Sequence, residues 1–595
     1  MFKAGGVCWL AVPILLSGCG SSSSGPANPT NPSNPTPPTV TYQLTVTTNG
    51  TGGGTVTSSP AGINCGSTCK ASFNTGTAVT LTATPSSGAV FSGWSGACSG
   101  TATCKITLAA DTSVTAGFNA PGLASSINHI VFLAQENRSF DSYFGELRQY
   151  WKDNGYPDQS FDGLPQFNPT AGTAPLYGAP PTNPGCSPTS PAGDCTPDPN
   201  NPVTSFHFQT MCAENPSPSW NEAHDDWDYN DPVGVKPAAL NGFVWTAAYD
   251  AIASKYYDTK GARAMGYFDG HDLNYYYFMA SNFATSDRWF HPAMTRTHPN
   301  REYLIAGTSQ GYVYPLHTNS KDQALLTAKT IFEELQDAGI TWKIYVDPTN
   351  SPCTGPPYDP ACLMTLSYLQ NFTFAQTVIS KYPQNIAPIS QYFTDLKNGT
   401  LPQVAQIEPA TDAGDDEHPT VDDPIPSNVQ NGANYVSSLI NALMNSSAWS
   451  DSVFILTFDE SGGFYDHVSP QPAVSPDGIK PADLAAGDVC TSTGSVGPNG
   501  ETTGPICDFT YTGYRVPLLV VSPYAKKNFV DHKTADTTAI LKLIETRFNV
   551  PALTKRDAAQ PDMTEFFDFS NPPWMKPPIP PAQNTSGACY DNHLP

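Results

Sequence analysis

The chain has 595 residues, too many for one ordinary domain. Only 13% of them are charged and the formal net charge is −24 at pH 7. That balance argues against nucleic acid as a partner, because a polyanion is bound through Lys and Arg, and it gives no support to electrostatic docking on an anionic membrane. With 58 Pro and 47 Gly, the composition is that of a loop-rich exported protein.

In chain order, Lys3 and the apolar run Val7–Leu16 form the first feature. The run is too short to span a bilayer and is expected to be a signal peptide, residues 1–18. Its end, Leu16-Ser17-Gly18-Cys19, resembles the bacterial lipoprotein lipobox, which implies a lipid on Cys19, a membrane partner and an outer-membrane or cell-surface address, with the periplasm as an alternative. Residues 19–39 contain no apolar side chain able to build a core, so they are expected to be a tether.

Residues 40–119 are rich in Thr, Val and Gly. Tyr42–Val46 and Ala78–Ala83 alternate with period two, as half-buried strands do, and predict a small all-β module. Phe91 and Trp94 are expected in its core rather than on a sugar-binding surface. The stretches GAVFSGWSGACSG and CKITLAADTSVTAGF resemble divergent β-repeat modules of bacterial surface proteins.

Residues 123–571 mix strand and helix patterns, the α/β signature. Ile127–Ala134, Thr341–Val346, Val404–Ile407, Asp451–Phe458 and Val516–Val521 predict strands; Thr330–Ala338, Ala433–Met444 and Ala535–Phe548 predict helices. The fold class is therefore α/β, with a central mostly parallel sheet flanked by helices. Asp158–Pro202 and Asp483–Pro505 are expected to be irregular insertions, and residues 572–595 an extended tail. Cys8 falls in the signal peptide and Cys19 is the lipid site. The other twelve cysteines suit disulfides in an oxidising compartment. Close pairs are Cys65/Cys69, Cys98/Cys104, Cys186/Cys195, Cys353/Cys362 and Cys490/Cys507, leaving Cys212 and Cys589 to join.

Two runs carry the chemistry. Ile127–Ala134 ends in Glu136 and Asn137, and Asp451–Phe458 ends in Asp459 and Glu460. Ligands of open α/β sheets bind beyond the carboxyl ends of strands. If the two strands are neighbours, three carboxylates and an amide oxygen meet, and a divalent cation would balance them. Taken separately, each run also reads as an ordinary helix start or strand-to-loop junction. Thr297, in Thr295–Arg301 (TRTHPNR), stands at a helix start, as an N-cap or as a hydroxyl beside amides that favour an anion. His224, His418 and His467 each have acidic neighbours that would orient them for proton transfer.

The motifs ENRSFDSYFG, MGYFDGHDLNYYYFMASNFATSDRWFHPAMTRTHPNREYLIAGTS, EHP before NYVSSLINAL, FDESGGFYDHV and YRVPLLVVSPYAKKNFVDH occur in that order. Together they resemble the bacterial phosphoesterase family of non-hemolytic-type phospholipases C and related acid phosphatases, within the alkaline-phosphatase-like superfamily. The resemblance implies one divalent metal ion on Glu136, Asn137, Asp459 and Glu460, a phosphothreonine formed on Thr297, and proton transfer by His418, His224 and His467. It implies a phospholipid or small phosphoester substrate. Pro218 stands where the family has a histidine, Leu240-Asn241-Gly242-Phe243 replaces a Met-Asp-Gly-Phe run, and Ala535-Asp536-Thr537-Thr538 replaces Tyr-Asp-His-Thr; these departures bear on substrate preference and leaving-group assistance. A sulfatase is rejected, because Cys186-Ser187-Pro188-Thr189-Ser190 lacks the required Arg. Alternatives to a phospholipase C are an acid phosphatase and a surface-binding lipoprotein with an inert hydrolase domain.

Overall fold

The computed structural model describes residues 39–86, 89–168, 178–191, 193–316, 325–419 and 428–589. The expected signal peptide, Cys19 and nearly all of the tether lie outside them. The described chain divides into two compact units, one made of residues 39–47, 56–82 and 94–115, the other containing residues 116–589.

The N-terminal β region has two four-stranded sheets. One runs Lys70–Asn74, Thr41–Asn49, Thr112–Asn119, Val90–Gly96; the other runs Asn64–Cys65, Gly54–Ser59, Ala78–Pro85, Cys104–Thr107. Alternation puts Leu44, Val46, Val79 and Leu81 inside. Trp94 is buried and its indole N–H donates to the Ala102 carbonyl at 2.7 Å, a core role. Disulfides Cys65–Cys69 and Cys98–Cys104 staple the region.

The larger unit is built on an eight-stranded sheet. In chain order its strands are β1 (His129–Gln135), β2 (Ala284–Ser286), β3 (Trp342–Val346), β4 (Ile386–Pro388), β5 (Val404–Glu408), β6 (Ser452–Phe458), β7 (Leu518–Val521) and β8 (Phe529–Asp531). Across the sheet the order is β4-β3-β5-β1-β6-β7-β2-β8. Strand β7 runs against its neighbours β6 and β2, and the other described pairings are parallel. Central strands β5, β1 and β6 are buried almost end to end, which is why they read as unbroken apolar runs.

Helices cover the sheet. Those needed below are α1 (Phe140–Phe144), α2 (Trp220–Trp227), α3 (Phe243–Ser254), α4 (Thr297–Ala306), α5 (Val429–Met444) and α6 (Ala539–Phe548). The helix expected at Thr330–Ala338 spans Ile331–Asp337; Thr330 caps it by accepting from the Glu333 N–H, and Gly339 follows at φ 70°. Helix α5 starts four residues before the expected Ala433, because Asn428 caps it through the Gln430 N–H. Ala535–Phe548 is not one helix: Ala535–Asp536 pairs in parallel with Trp289–Phe290, and α6 begins only at Ala539. The insertion Asp158–Pro202 is not wholly irregular, since Thr182–Cys186 and Pro197–Thr204 form an antiparallel pair, closed by Cys186–Cys195.

The tail is docked rather than loose as far as residue 589. Asn274 donates to the Ala582 carbonyl, Gln583 to Asp272, Asn584 to His271, and the Gly587 N–H to Gln430. Cys212–Cys589 completes the clasp, and Cys353–Cys362 and Cys490–Cys507 also form.

Candidate active site

Strands β1 and β6 lie side by side in parallel, with Gln135 opposite Phe458. The ladder continues one step further, since the Asp459 N–H donates to the Gln135 carbonyl at 3.0 Å. Glu136-Asn137 and Asp459-Glu460 therefore leave the same edge of the sheet together. Asn137 sits at φ 71°, a left-handed conformation that Asn tolerates. Gly462 is also left-handed, and a Cβ there would stand 2.4 Å from the Asn137 carbonyl oxygen, so only glycine lets the two runs cross. The Gly462 N–H donates to Glu460 Oε2 and the Glu460 N–H to Asp459 Oδ1. The helix-start reading of the first run is met by Ser139, which caps α1 through the Ser142 N–H, and not by Asn137.

Helix α4 is fixed to this edge by a residue the sequence reading did not single out. Arg301, almost wholly buried, donates to Glu136 (3.1 Å), Asp459 (3.2 Å) and Glu408 (3.1 Å), with the Tyr368 ring 4.9 Å from its guanidinium carbon. Tyr368 in turn donates to Glu136 at 3.0 Å. Burial lifts the Asp459 and Glu408 carboxyls to about 7, with Arg301 opposing, and lifts Glu460 well above its ordinary value. Thr297 is the first residue of α4, one position inside the expected cap; Arg296 flanks it in extended backbone, and no side chain caps the helix. Thr297 and Arg301 are four residues apart and so belong to one face of α4. Asn300 sets the entry: its amide accepts from the Ala293 N–H and donates to the Thr295 and Arg296 carbonyls.

The donor set has the oxygen chemistry that a divalent cation takes. Asn137 Oδ1 and Glu460 Oε1 are buried acceptors without a hydrogen-bond donor, and so is Oδ2 of Asp416, whose backbone carbonyl takes the Glu136 N–H at 2.7 Å. Buried oxygens left this way are what a hard cation requires. Arg301 fills the space among Glu136, Glu408 and Asp459, so the vacant lone pairs lie on the Asn137 and Glu460 side. A cavity of about 200 Å3 lies on this edge, lined among others by His298, Asp347, Tyr368 and Pro409.

The three expected histidines have different surroundings. His418 follows Asp416 and Glu417; its N–H donates to Asp416 Oδ1 at 3.1 Å, which ties it to the Glu136 end of β1. Glu417 is buried under the hydroxyls of Tyr143 and Tyr276 and the amide of Gln135. His224 is not brought to the edge. It lies sealed in α2 against Trp220, its nitrogens 2.6 Å and 3.1 Å from the Trp220 and Ile506 carbonyls, and burial lowers its pKa to about 4. His467 belongs to a separate network. Its Nδ1 meets Asp141 at 2.7 Å and its Nε2 meets Asp162 at 3.1 Å. Burial opposes its charge, but Asp141 and Asp162 outweigh burial and raise it to about 9. Arg515 binds Asp141 and Asp466 in the same cluster, so that group of ligand-type side chains already holds a cation of its own.

Beyond Arg301, the sequence reading missed Glu408, Asp416 and Tyr368. Glu408 had a usable signal: it closes β5 one residue past the expected end, a carboxylate at the tip of a buried parallel strand like the others.

Residues 127–551 match the model of the Phosphoesterase family, and residues 44–122 match the Divergent InlB B-repeat domain. A Mycobacterium tuberculosis protein named Phospholipase C B is 31% identical over 488 residues, 76% of this chain and 80% of its own. A Burkholderia pseudomallei protein named Non-hemolytic phospholipase C is 30% identical over 504 residues, 78% of this chain and 62% of its own. Among solved structures, a Vibrio parahaemolyticus protein described as in the alkaline phosphatase superfamily matches 48% of this chain and 63% of its own at 11% identity, with a TM-score of 0.27.

Proposed function

Because this chain belongs to the phosphoesterase family, a family of phosphoric ester hydrolases, we propose that it is a phospholipase C-type enzyme working through Thr297. The observation that carries the reading is the meeting of Glu136-Asn137 with Asp459-Glu460 at one sheet edge, under a helix whose first residue is Thr297. A divalent cation held by Asn137 and Glu460, with Glu136 and Asp459, would supply Lewis acidity that lowers the pKa of the hydroxyl and offsets phosphoryl charge. Thr297 Oγ gives its proton to solvent and attacks phosphorus. The amides opening α4 share the charge on the equatorial oxygens. The P–O bond to the diacylglycerol breaks and His418 protonates the departing oxygen. Water then attacks the phosphothreonine and gives a proton to His418, the bond from phosphorus to Thr297 Oγ breaks, Oγ takes a proton from solvent, and the phosphorylated head group leaves. His467 and His224 serve the architecture in this account, His467 by holding α1 to the loop after β6.

Hydrolysis of p-nitrophenylphosphorylcholine and p-nitrophenyl phosphate by wild type and Thr297→Ala, with and without chelator, tests this. Turnover is expected to fall more than about 10³-fold in the variant and to vanish with chelator. Undiminished turnover in Thr297→Ala would sink the nucleophile; preference for the monoester would favour an acid phosphatase; no turnover by folded, metal-supplemented protein would favour a binding lipoprotein. The remaining layout we propose is a signal peptide at 1–18, a tether at 19–39, a β module at 40–119, a catalytic domain at 123–571 and a tail at 572–595, on an exported protein anchored through Cys19. Stable anchoring, the kind that survives washing of the membranes, is expected to be lost in Cys19→Ala, leaving only reversible surface binding.

A further inference from the structure

Helix α3 has two faces with different company. Inward, Phe243 packs edge-on against Tyr465 and Tyr514, each with ring centroids 5.2 Å apart. Tyr465 lies five residues past Glu460, so α3 rests on the loop that carries the second half of the site. Its Asp250 and Glu222 of α2 both act electrostatically on Arg296, the residue before Thr297. Outward, α3 carries Trp245, Tyr249 and Ile252 at helical spacing. The rings of Tyr229, Trp245 and Tyr249 form a chain with centroids 6.5 Å and 6.2 Å apart. Tyr249 is 60% exposed and Tyr257, just past the helix end, 68% exposed.

Two cations border these rings. Lys255 ends α3 in a left-handed conformation, and Lys260 follows five residues later. Both are exposed, and neither is engaged in an ion pair among the described residues. They open onto a hollow of about 400 Å3 shared with Ile252, Ser187, Ser190 and one carboxylate, Asp194. In a chain with 28 Lys and Arg against 52 Asp and Glu, two unpaired lysines beside exposed tyrosines are a local exception.

We propose that this face of α3 is the surface by which the enzyme sits on a zwitterionic phospholipid bilayer. The inference rests on the phospholipase reading of the same site. Tyr and Trp place an apolar ring below the headgroups and a polar tip among them, and lysine stems lie along such a surface while their ammonium groups meet lipid phosphates. The chemistry of the occupant follows from that combination, rings for the acyl boundary and ammonium groups for phosphate. The position follows from α3 itself, whose Phe243 rests on the loop after β6 and whose Asp250 acts on Arg296, the residue before Thr297.

The test compares the full chain carrying Cys19→Ala, so that no acyl chain on residue 19 contributes, with the same chain also carrying Tyr249→Ser and Tyr257→Ser, and with Lys255→Glu and Lys260→Glu. Sedimentation with phosphatidylcholine vesicles, hydrolysis of the vesicle lipid and hydrolysis of soluble p-nitrophenylphosphorylcholine are measured on each. The parent is expected to pellet with the vesicles. Each double variant is expected to lose about tenfold or more in vesicle hydrolysis and pelleting, while the soluble ester is turned over within twofold of the parent. A parent that does not pellet, variants that act on vesicles like the parent, or equal losses on both substrates would overturn the proposal. So would a tyrosine variant that turns a dimeric parent into a monomer in light scattering, since the face would then be an interface between copies. A parent that pellets but hydrolyses neither substrate would overturn the phospholipase reading and leave the docking surface standing.

Discussion

Arg301→Met removes a cation that touches three buried carboxylates of the site. Their contacts are 3.1, 3.1 and 3.2 Å, and all four side chains are at most 6% exposed. An ion pair at such distances gains about 5 kcal/mol at an effective dielectric of 20, and removing one partner of a buried pair typically costs about 3–5 kcal/mol because the other charge is stranded. A cost of about 4 kcal/mol in a unit of this size lowers the melting temperature by roughly 4 °C. The loss must depend on pH. Asp459 and Glu408 already hold protons up to about 7 with Arg301 present, and without it they hold them higher still. At pH 8 the variant has to bury those two charges or neutralise them by taking up protons, unaided, whereas at pH 5 the Asp459 and Glu408 carboxyls are protonated and need no cation. Calorimetry of both proteins at pH 8 and pH 5, in chelator, is expected to show a deficit at pH 8 that shrinks at pH 5. A deficit below about 1 °C at pH 8, or one equal at both values, would refute the assignment of Arg301 as the neutralising centre.

Three further perturbations follow from other parts of the molecule. The folded His467 pKa of about 9 lies above the ordinary value near 6.5, so its ion pairs contribute about 3 kcal/mol that is fully present below pH 6.5 and is lost as pH rises through 9; between pH 6 and pH 10, wild type should lose more thermal stability than His467→Gln, and parallel losses would contradict this. Gly462→Ala should lower turnover by at least about tenfold, because the new methyl meets the Asn137 carbonyl at 2.4 Å in a left-handed backbone; unchanged kinetics would mean the crossing of the two runs does not set the site. Cys212→Ser with Cys589→Ser should cost about 2–5 kcal/mol and raise amide exchange at residues 428–430 and 582–588; a variant with wild-type exchange there would show that the hydrogen bonds alone hold the tail.

The sheet was readable where burial dictates composition. β1 and β6 are apolar on both faces, so their extent and the polar residues just beyond them stood out in the chain. Their adjacency was not readable, because pairing of strands more than 300 residues apart leaves no local trace. Arg301 carries no such signal, since an arginine on a short helix ordinarily faces water; its role depends on three carboxylates from other segments. Ala535–Asp536 was misassigned because propensity continues smoothly into α6, while a short parallel pairing with Trp289–Phe290 takes those two residues first. His224 shows the converse error: acidic sequence neighbours suggested a titrating group, whereas the helix turns its ring into the core beside Trp220.

The Cys212–Cys589 bond encloses Thr297, Arg301, His418, Asp459 and Glu460 within one covalent ring of chain, to which Glu136 and Asn137 are joined through the preceding segment. A single cut by a protease in an exposed stretch such as residues 485–487, outside the Cys490–Cys507 loop, would therefore open the ring without releasing a fragment. Both pieces would stay linked through Cys212–Cys589, and the strands that meet at Gln135 and Phe458 would keep each other as intramolecular partners. An exported enzyme of this design would be expected to run as two bands on a reducing gel after such nicking and as one without reductant, with its activity retained.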